Sequence, residues 1–179
     1  MKYFLDTEFL DDGKTIDLFS IGVKADDGRE YYAVSIEADF NRVWCSSEFG
    51  WFKENVMGSI DIKGDGKRRE EIRDDLAAFC TIPEDPPEFW GYYSSYDWVA
   101  FCQLWGPMLS IPVHFPKYCM DVKQYSRMSG IALPPNPKIH HALEDARWIR
   151  QTYHCIQAAM GSVKENARRE MALEMLGVQ

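Results

Sequence analysis

An apolar run, Tyr3-Phe4-Leu5, opens the chain, is interrupted by Asp6-Thr7-Glu8 and resumes at Phe9 and Leu10. That pattern predicts a buried strand with acids set toward one end. Asp11-Asp12-Gly13 is a turn signal, Thr15 to Lys24 a second strand, Asp26-Asp27-Gly28 a second turn and Arg29 to Ser35 a third strand, so the chain starts as an antiparallel meander. Ser46 or Ser47 caps a short helix running to Asn55, and the Gly- and Asp-rich stretch from Gly58 to Lys67 is expected to be a mobile surface loop. From Arg68 to Cys80 the apolar positions Ile72, Leu76, Ala77, Phe79 and Cys80 recur at helical spacing. After Pro83, Pro86 and Pro87, Phe89 to Tyr93 reads as a short buried strand, and Tyr96 to Trp105 as a helix stopped by Gly106-Pro107. A short strand near Tyr118 to Met120, a helix from about Asp121 to Met128, a Pro-rich loop from Leu133 to Pro137 and a long helix from about His141 complete the series. Strands first, then strands alternating with helices, predict an α/β fold with a mixed sheet.

Length and composition leave room for one domain over residues 1–179, with 162–179 as a C-terminal helix. Val163, Ala167, Met171 and Met175 fall at helical spacing in that tail, which either packs back on its own domain or contributes to a dimer interface. Cys45, Cys80, Cys102, Cys119 and Cys155 are odd in number and widely spaced, which fits reduced thiols and not disulfides or zinc ligands. The first residues do not carry a basic segment followed by an apolar stretch, and no apolar run is long enough to cross a bilayer, so a cytoplasmic protein without membrane attachment is expected. A formal net charge of −8 argues against broad binding along a duplex. It leaves room for an enzyme that grips one chain end, because bound cations neutralise an acidic cluster.

The candidate chemistry lies at element ends, where α/β sheets build their sites. Side chains alternate along a strand, so Asp6 and Glu8 share a face, and two neighbouring carboxylates at the end of a core strand repel one another unless a cation or solvent screens them. Asp97 opens a helix after a buried strand, where it is either a ligand or a partner for the helix dipole. His140 and Asp145 flank the start of the long helix; five residues apart, they are offset by roughly 140° and cannot share a helix face, so His140 belongs to the preceding loop. Together, the four carboxylates and one histidine are the toolkit of metal-assisted phosphodiester hydrolysis.

Asp6-x-Glu8, Tyr96-Asp97 and His140-x-Ala142-Leu143-x-Asp145-Ala146 resemble the motifs of the DEDDh branch of the DnaQ-like 3′–5′ exonucleases, which have an RNase H-like fold. Within that branch the chain is most similar to the polyadenylate-specific RNase AS exoribonucleases, through Tyr3 to Phe9, Ser20-Ile21-Gly22, Gly28 to Ser35 and Cys102 to Pro107. The similarity runs from residue 1 to about 155, weakens from Asp39 to Lys67 and is lost in the tail. It implies an RNase H-like sheet flanked by helices, a single-stranded RNA 3′ end as substrate, and a homodimer. It also implies that Asp6, Glu8, Asp97 and Asp145 hold two Mg²⁺ or Mn²⁺ ions, with His140 as general base. Phe9 stands where this family often places an apolar wedge, and Tyr96 and Trp98 flank Asp97 as candidate stacking rings, although Trp98 fits the core equally well. Ser20 is a candidate polar lining residue. A related enzyme acting on DNA ends or on very short RNAs would share every catalytic residue; a non-catalytic nucleic-acid-binding module is the other class, disfavoured because all five catalytic positions are intact.

Overall fold

The computed structural model describes residues 1–137 and 140–175. Three strands, β1 (Lys2–Asp11), β2 (Ile16–Ala25) and β3 (Glu30–Ser35), form the expected meander. In the first turn Asp12 Oδ1 accepts from the backbone N–H groups of Lys14 and Thr15, and Gly13 takes φ 77°, a value glycine reaches without a steric penalty. After β3 come the helices α1 (Phe40–Cys45) and α2 (Gly50–Asn55). Both are shorter than a single periodic pattern would suggest, because Asp39 caps one start while Ser46 ends it and begins a new turn.

Gly58 to Lys67 departs from the loop expected there. Asp61 accepts from the N–H groups of Lys63 and Gly64 and starts the short helix α3 (Ile62–Asp65), and Gly66–Lys67 then forms β4, paired in parallel with Val34 and Ser35 of β3. The glycines suggested mobility, but a side-chain cap and a pairing partner distant in sequence give this stretch structure.

The remaining elements are α4 (Arg69–Phe79), β5 (Glu88–Gly91), α5 (Ser95–Gln103), β6 (Met120–Asp121), α6 (Val122–Ser129) and α7 (Ala142–Met175). Beyond α7, residues 176–179 lie outside those described, as do the side chains of Val163, Ala167, Met171 and Met175, so the reading of the tail as a packing or dimer face falls there. The six strands are ordered β4-β3-β2-β1-β5-β6; β1 pairs antiparallel with β2 and parallel with β5, giving the mixed sheet expected of the α/β class. No helix among the described residues is long and apolar enough to cross a membrane.

Alternation along β1 sends the core two ways. Tyr3 and Leu5 face Ile72 and Leu76 of α4 and Phe101 of α5, whereas Phe4 faces Ile149 and Tyr153 of α7 together with Trp90 of β5. Asp6 and Glu8 continue the Phe4 face, so the strand's own pleat carries the acids toward the helix that holds Asp145. Opposite Asp6 in the ladder stands Gly22, where a Cβ would collide with the backbone of Ala142 and Leu143. The absence of a side chain there lets the start of α7 rest directly on β2.

Candidate active site

The end of β1, the loop after β5, the first turn of α5 and the start of α7 surround a cavity of about 290 Å³. Asp6, Glu8, Asp97, His140 and Asp145 all line it, with Thr7, Phe9, Tyr92, Tyr93 and Asn136. Ligand oxygens of Asp6, Glu8 and Asp145 lie within 4.8 Å of one another, close enough to share one cation. Asp97 stands apart from that trio. It arrives on α5 from the opposite face of the sheet, and its Oδ1 accepts from the backbone N–H of Thr7 at 2.9 Å and from Thr7 Oγ1 at 2.6 Å. Thr7, which points away from its acidic neighbours, thereby ties a second element to the strand and leaves Asp97 Oδ2 as the oxygen free of that tie.

The electrostatics follow from burial and crowding. Burial raises the Asp6 carboxyl well above the usual carboxylate range, and Asp97, Glu8 and Asp145 raise it further. Glu8 is pushed up to about 8, by burial first and then by Asp145 and Asp97. Asp97 is raised to about 6 by burial, with the Thr7 hydrogen bonds acting against it. Asp145 is raised by burial and drawn back by the His141 backbone N–H, which donates to Asp145 Oδ2 at 3.2 Å. Such a set resists full ionisation by itself, and a positive charge in its midst would relieve it.

His140 lies in the loop before α7, as its offset from Asp145 requires, with φ 51°. Its carbonyl accepts from Ser59 Oγ at 2.7 Å, and its ring meets Trp51 edge to face with centroids 5.0 Å apart. His141 faces elsewhere, stacked on Tyr32 at 4.4 Å. Two adjacent histidines are therefore separated by the turn between them.

Phe9 lines the cavity and stacks on Tyr96, with rings 5.7 Å apart and nearly parallel at 6°. Trp98 sits elsewhere: it packs on Phe89 and Phe101 in the main core and does not line the cavity. Residues 96 and 98 of a helix lie about 200° apart, so one ring of the pair had to turn inward. Ser20 is likewise not part of the lining. It is fully buried opposite Glu8 in the ladder, with its hydroxyl near that of Tyr32. The sequence reading missed Tyr92, Tyr93, Trp51 and Asn136. The apolar pattern of Phe89 to Tyr93 shows a strand but not that Tyr93 leaves it at φ 53°, an uncommon backbone conformation for an aromatic residue, with its ring exposed at the cavity mouth.

Comparison with known proteins gives this constellation a context. The chain is similar to two curated proteins of Mycobacterium tuberculosis, the 3′-5′ exoribonuclease Rv2179c of strain H37Rv and MT2234.1 of strain CDC 1551 / Oshkosh. Each is 43% identical over 152 residues, which cover 82% of this chain and 88% of the relative. Among solved structures it resembles Pop2p of S. pombe in the form bound to Mg²⁺ and Mn²⁺, with a TM-score of 0.51 and 12% identity over 88% of this chain and 82% of the other. At that identity the likeness speaks for the RNase H-like fold alone. The model for the 3′-5′ exoribonuclease Rv2179c-like domain matches residues 1–157, from the first strand through the cavity-lining half of α7, and the chain belongs to that family.

Proposed function

We propose that this protein is a metal-dependent 3′–5′ exoribonuclease that shortens single-stranded RNA one nucleotide at a time, prefers adenylate-rich ends and releases nucleoside 5′-monophosphates. The observation that carries the reading is the convergence of the Asp6, Glu8 and Asp145 oxygens in one cavity with Asp97 and His140. An all-oxygen donor set of mutually repelling carboxylates suits hard divalent cations, and Mg²⁺ or Mn²⁺, both named for the Pop2p structure, are the natural choices. Asp6, Glu8, Asp97 and Asp145 would hold two such ions. Bound there, they would supply a polarised water and charge stabilisation for the departing 3′ oxygen.

The chain's own residues supply the rest. Thr7 fixes Asp97 through two hydrogen bonds, which orients the remaining carboxylate oxygen toward the cavity. His140 takes the proton from the attacking water at an imidazole nitrogen, a role that needs the neutral ring. The Phe9–Tyr96 pair offers a flat apolar plate to the terminal bases. Preference for adenylate rests on the similarity to the RNase AS enzymes, as does a homodimer, which light scattering on the eluted protein would test.

Matched single-stranded oligomers of A, C and U, with oligo-dA, digested in one Mg²⁺ buffer and resolved by length, test the substrate. The expected result is a ladder shortening from the 3′ end, fastest on oligo-A, with AMP as product and no activity in EDTA. Equal rates on A, C and U would make the protein a general exoribonuclease. Faster hydrolysis of oligo-dA would make it a DNA exonuclease, exhaustion of dinucleotides alone an oligoribonuclease, and binding without cleavage a non-catalytic module.

A further inference from the structure

Tyr93 stands where three cavities meet. It lines the catalytic cavity, a second of about 500 Å³ that runs along α6, and a third of about 610 Å³ beside Trp51 and Asn55. The other two offer paths for an RNA whose 3′ end is at the carboxylates, and the charge on their described lining residues differs. Among the described residues the third cavity is lined by aromatic rings, two amides and His140, with no lysine or arginine. The second carries Lys123 and Arg127.

Arg127 is unusual for this molecule, and Lys123 accompanies it. They lie one helical turn apart on α6 and so share a face. Among the described residues Arg127 enters no ion pair, whereas Arg29, Arg42, Arg68, Arg69, Arg73, Arg147 and Arg150 all do; Lys123 is without one as well, like most of the described lysines. Lys123 stands in the first turn of α6, against the sense of the helix dipole, where an acid would be more favourable. Asp121 also lines this cavity, but its oxygens are already committed: Oδ1 accepts from the backbone N–H groups of Lys123 and Gln124, and Oδ2 from that of Ser94. Tyr96 joins the two cavities physically, since its ring lines the second while stacking on Phe9 of the first. Half-exposed Tyr96 and the more exposed Tyr93 present open ring faces along the way.

We infer that the groove along α6 is the track for the RNA nucleotides upstream of the scissile bond, with bases stacking on Tyr96 and Tyr93 and backbone phosphates held by Lys123 and Arg127. This rests on the exoribonuclease reading and adds to it a direction of exit and a length requirement. It also reconciles a net charge of −8 with an anionic substrate, because the cations needed are few and placed along one path. A dinucleotide occupies the catalytic cavity and stops short of the groove; a hexanucleotide reaches it.

The test compares wild type with Lys123→Gln, Arg127→Gln and the double variant on diadenylate and hexaadenylate, with melting curves to confirm folding. The double variant is expected to raise KM for hexaadenylate about tenfold with kcat little changed, and to leave diadenylate hydrolysis as in wild type. In an Asp6→Asn background, binding of a 5′-labelled octaadenylate should weaken by a similar factor. The slope of log affinity against log salt should fall by about 1.4, at roughly 0.7 per phosphate contact on a single strand. Equal losses on the dimer and the hexamer, or no loss on either, would overturn the track. Wild type inactive on every RNA would reject the exoribonuclease reading instead, and the binding measurement would still decide whether α6 holds RNA.

Discussion

Asp6 and Glu8 occupy positions that cost the metal-free protein stability. Their carboxyls are raised by burial first and then by neighbouring carboxylates, Asp97 and Asp145 among them, so much of what makes the site able to attract cations is folding energy withheld. Asp6→Asn and Glu8→Gln should each lower turnover by about 100-fold or more, in line with loss of electrostatic stabilisation at the transition state, and yet raise the melting temperature in EDTA. A variant that is inactive and less stable in EDTA would show that the carboxylates serve the fold. The two histidines separate in the same way. His140→Ala should lose most turnover while keeping RNA and metal binding, whereas His141→Ala removes a ring stacked on Tyr32 and should cost stability, about 1 kcal/mol, before it costs chemistry. The reverse assignment would shift the base to His141. The acids could be picked out in the sequence because carboxylates at the ends of apolar elements are costly without a reason. The rings could not be sorted: Tyr96 and Trp98 have equal claims in a linear pattern, and only the packing of α5 on Phe89 shows which turns to the core. Tyr93 left no signal, since its place depends on a left-handed backbone angle.

Local periodicity revealed most of the elements that position these groups, because each strand and helix buries one face and its apolar residues must recur with the matching period. The meander, α4, α5 and the start of α7 come out within a few residues of their observed bounds. The stretch holding α3 and β4 did not, because its structure depends on a cap at Asp61 and on pairing with β3, a contact invisible to a short window. Gly22 is the element-level feature with the sharpest consequence. It pairs with Asp6, and the backbone of Ala142 and Leu143 fills the space a side chain would need. Backbone on both sides leaves no flexible group to move aside, so Gly22→Ala must push the first turn of α7 off the sheet and carry Asp145 away from Asp6 and Glu8. Overpacking of this kind costs about 1–3 kcal/mol, read from urea unfolding. Activity should fall further than that loss of stability explains, with the midpoint for Mg²⁺ activation moved to higher concentration. A Gly22→Ala protein with normal metal activation would mean that the close contact is not what places Asp145.

Across the whole molecule, the buried acids couple folding to pH and to metal. Glu8 in the folded protein is pushed up to about 8, against an ordinary value of 4.5, and Asp97 to about 6 from 3.8; Asp6 and Asp145 are displaced in the same direction. Between the ordinary value and the raised one the folded state binds more protons than the unfolded chain, so stability must fall as pH rises through that window. Glu30 is shifted the other way, down to about 2 by Arg147 and Lys24, but its contribution changes only below pH 4.5 and leaves the window untouched. Without metal, the protein should therefore melt at a lower temperature at pH 8 than at pH 5.5. The Glu8 shift alone sets a ceiling on the order of 5 kcal/mol at about 1.4 kcal/mol per unit, reduced in practice by coupling among the four acids. A bound cation takes the place of the protons, so saturating Mg²⁺ should flatten the profile, and the rise in melting temperature on adding Mg²⁺ should grow steadily from pH 5.5 to 8. Scanning calorimetry of EDTA-treated protein at several pH values, with and without Mg²⁺, reads both effects. The Asp6→Asn, Glu8→Gln double variant supplies the control, since it lacks two of the four displaced groups and should show a shallower slope than wild type without metal. A metal-free wild type that grows more stable from pH 5.5 to 8 would mean that the carboxylates ionise freely in the fold, and the electrostatic case for a cation at this site would fail with it.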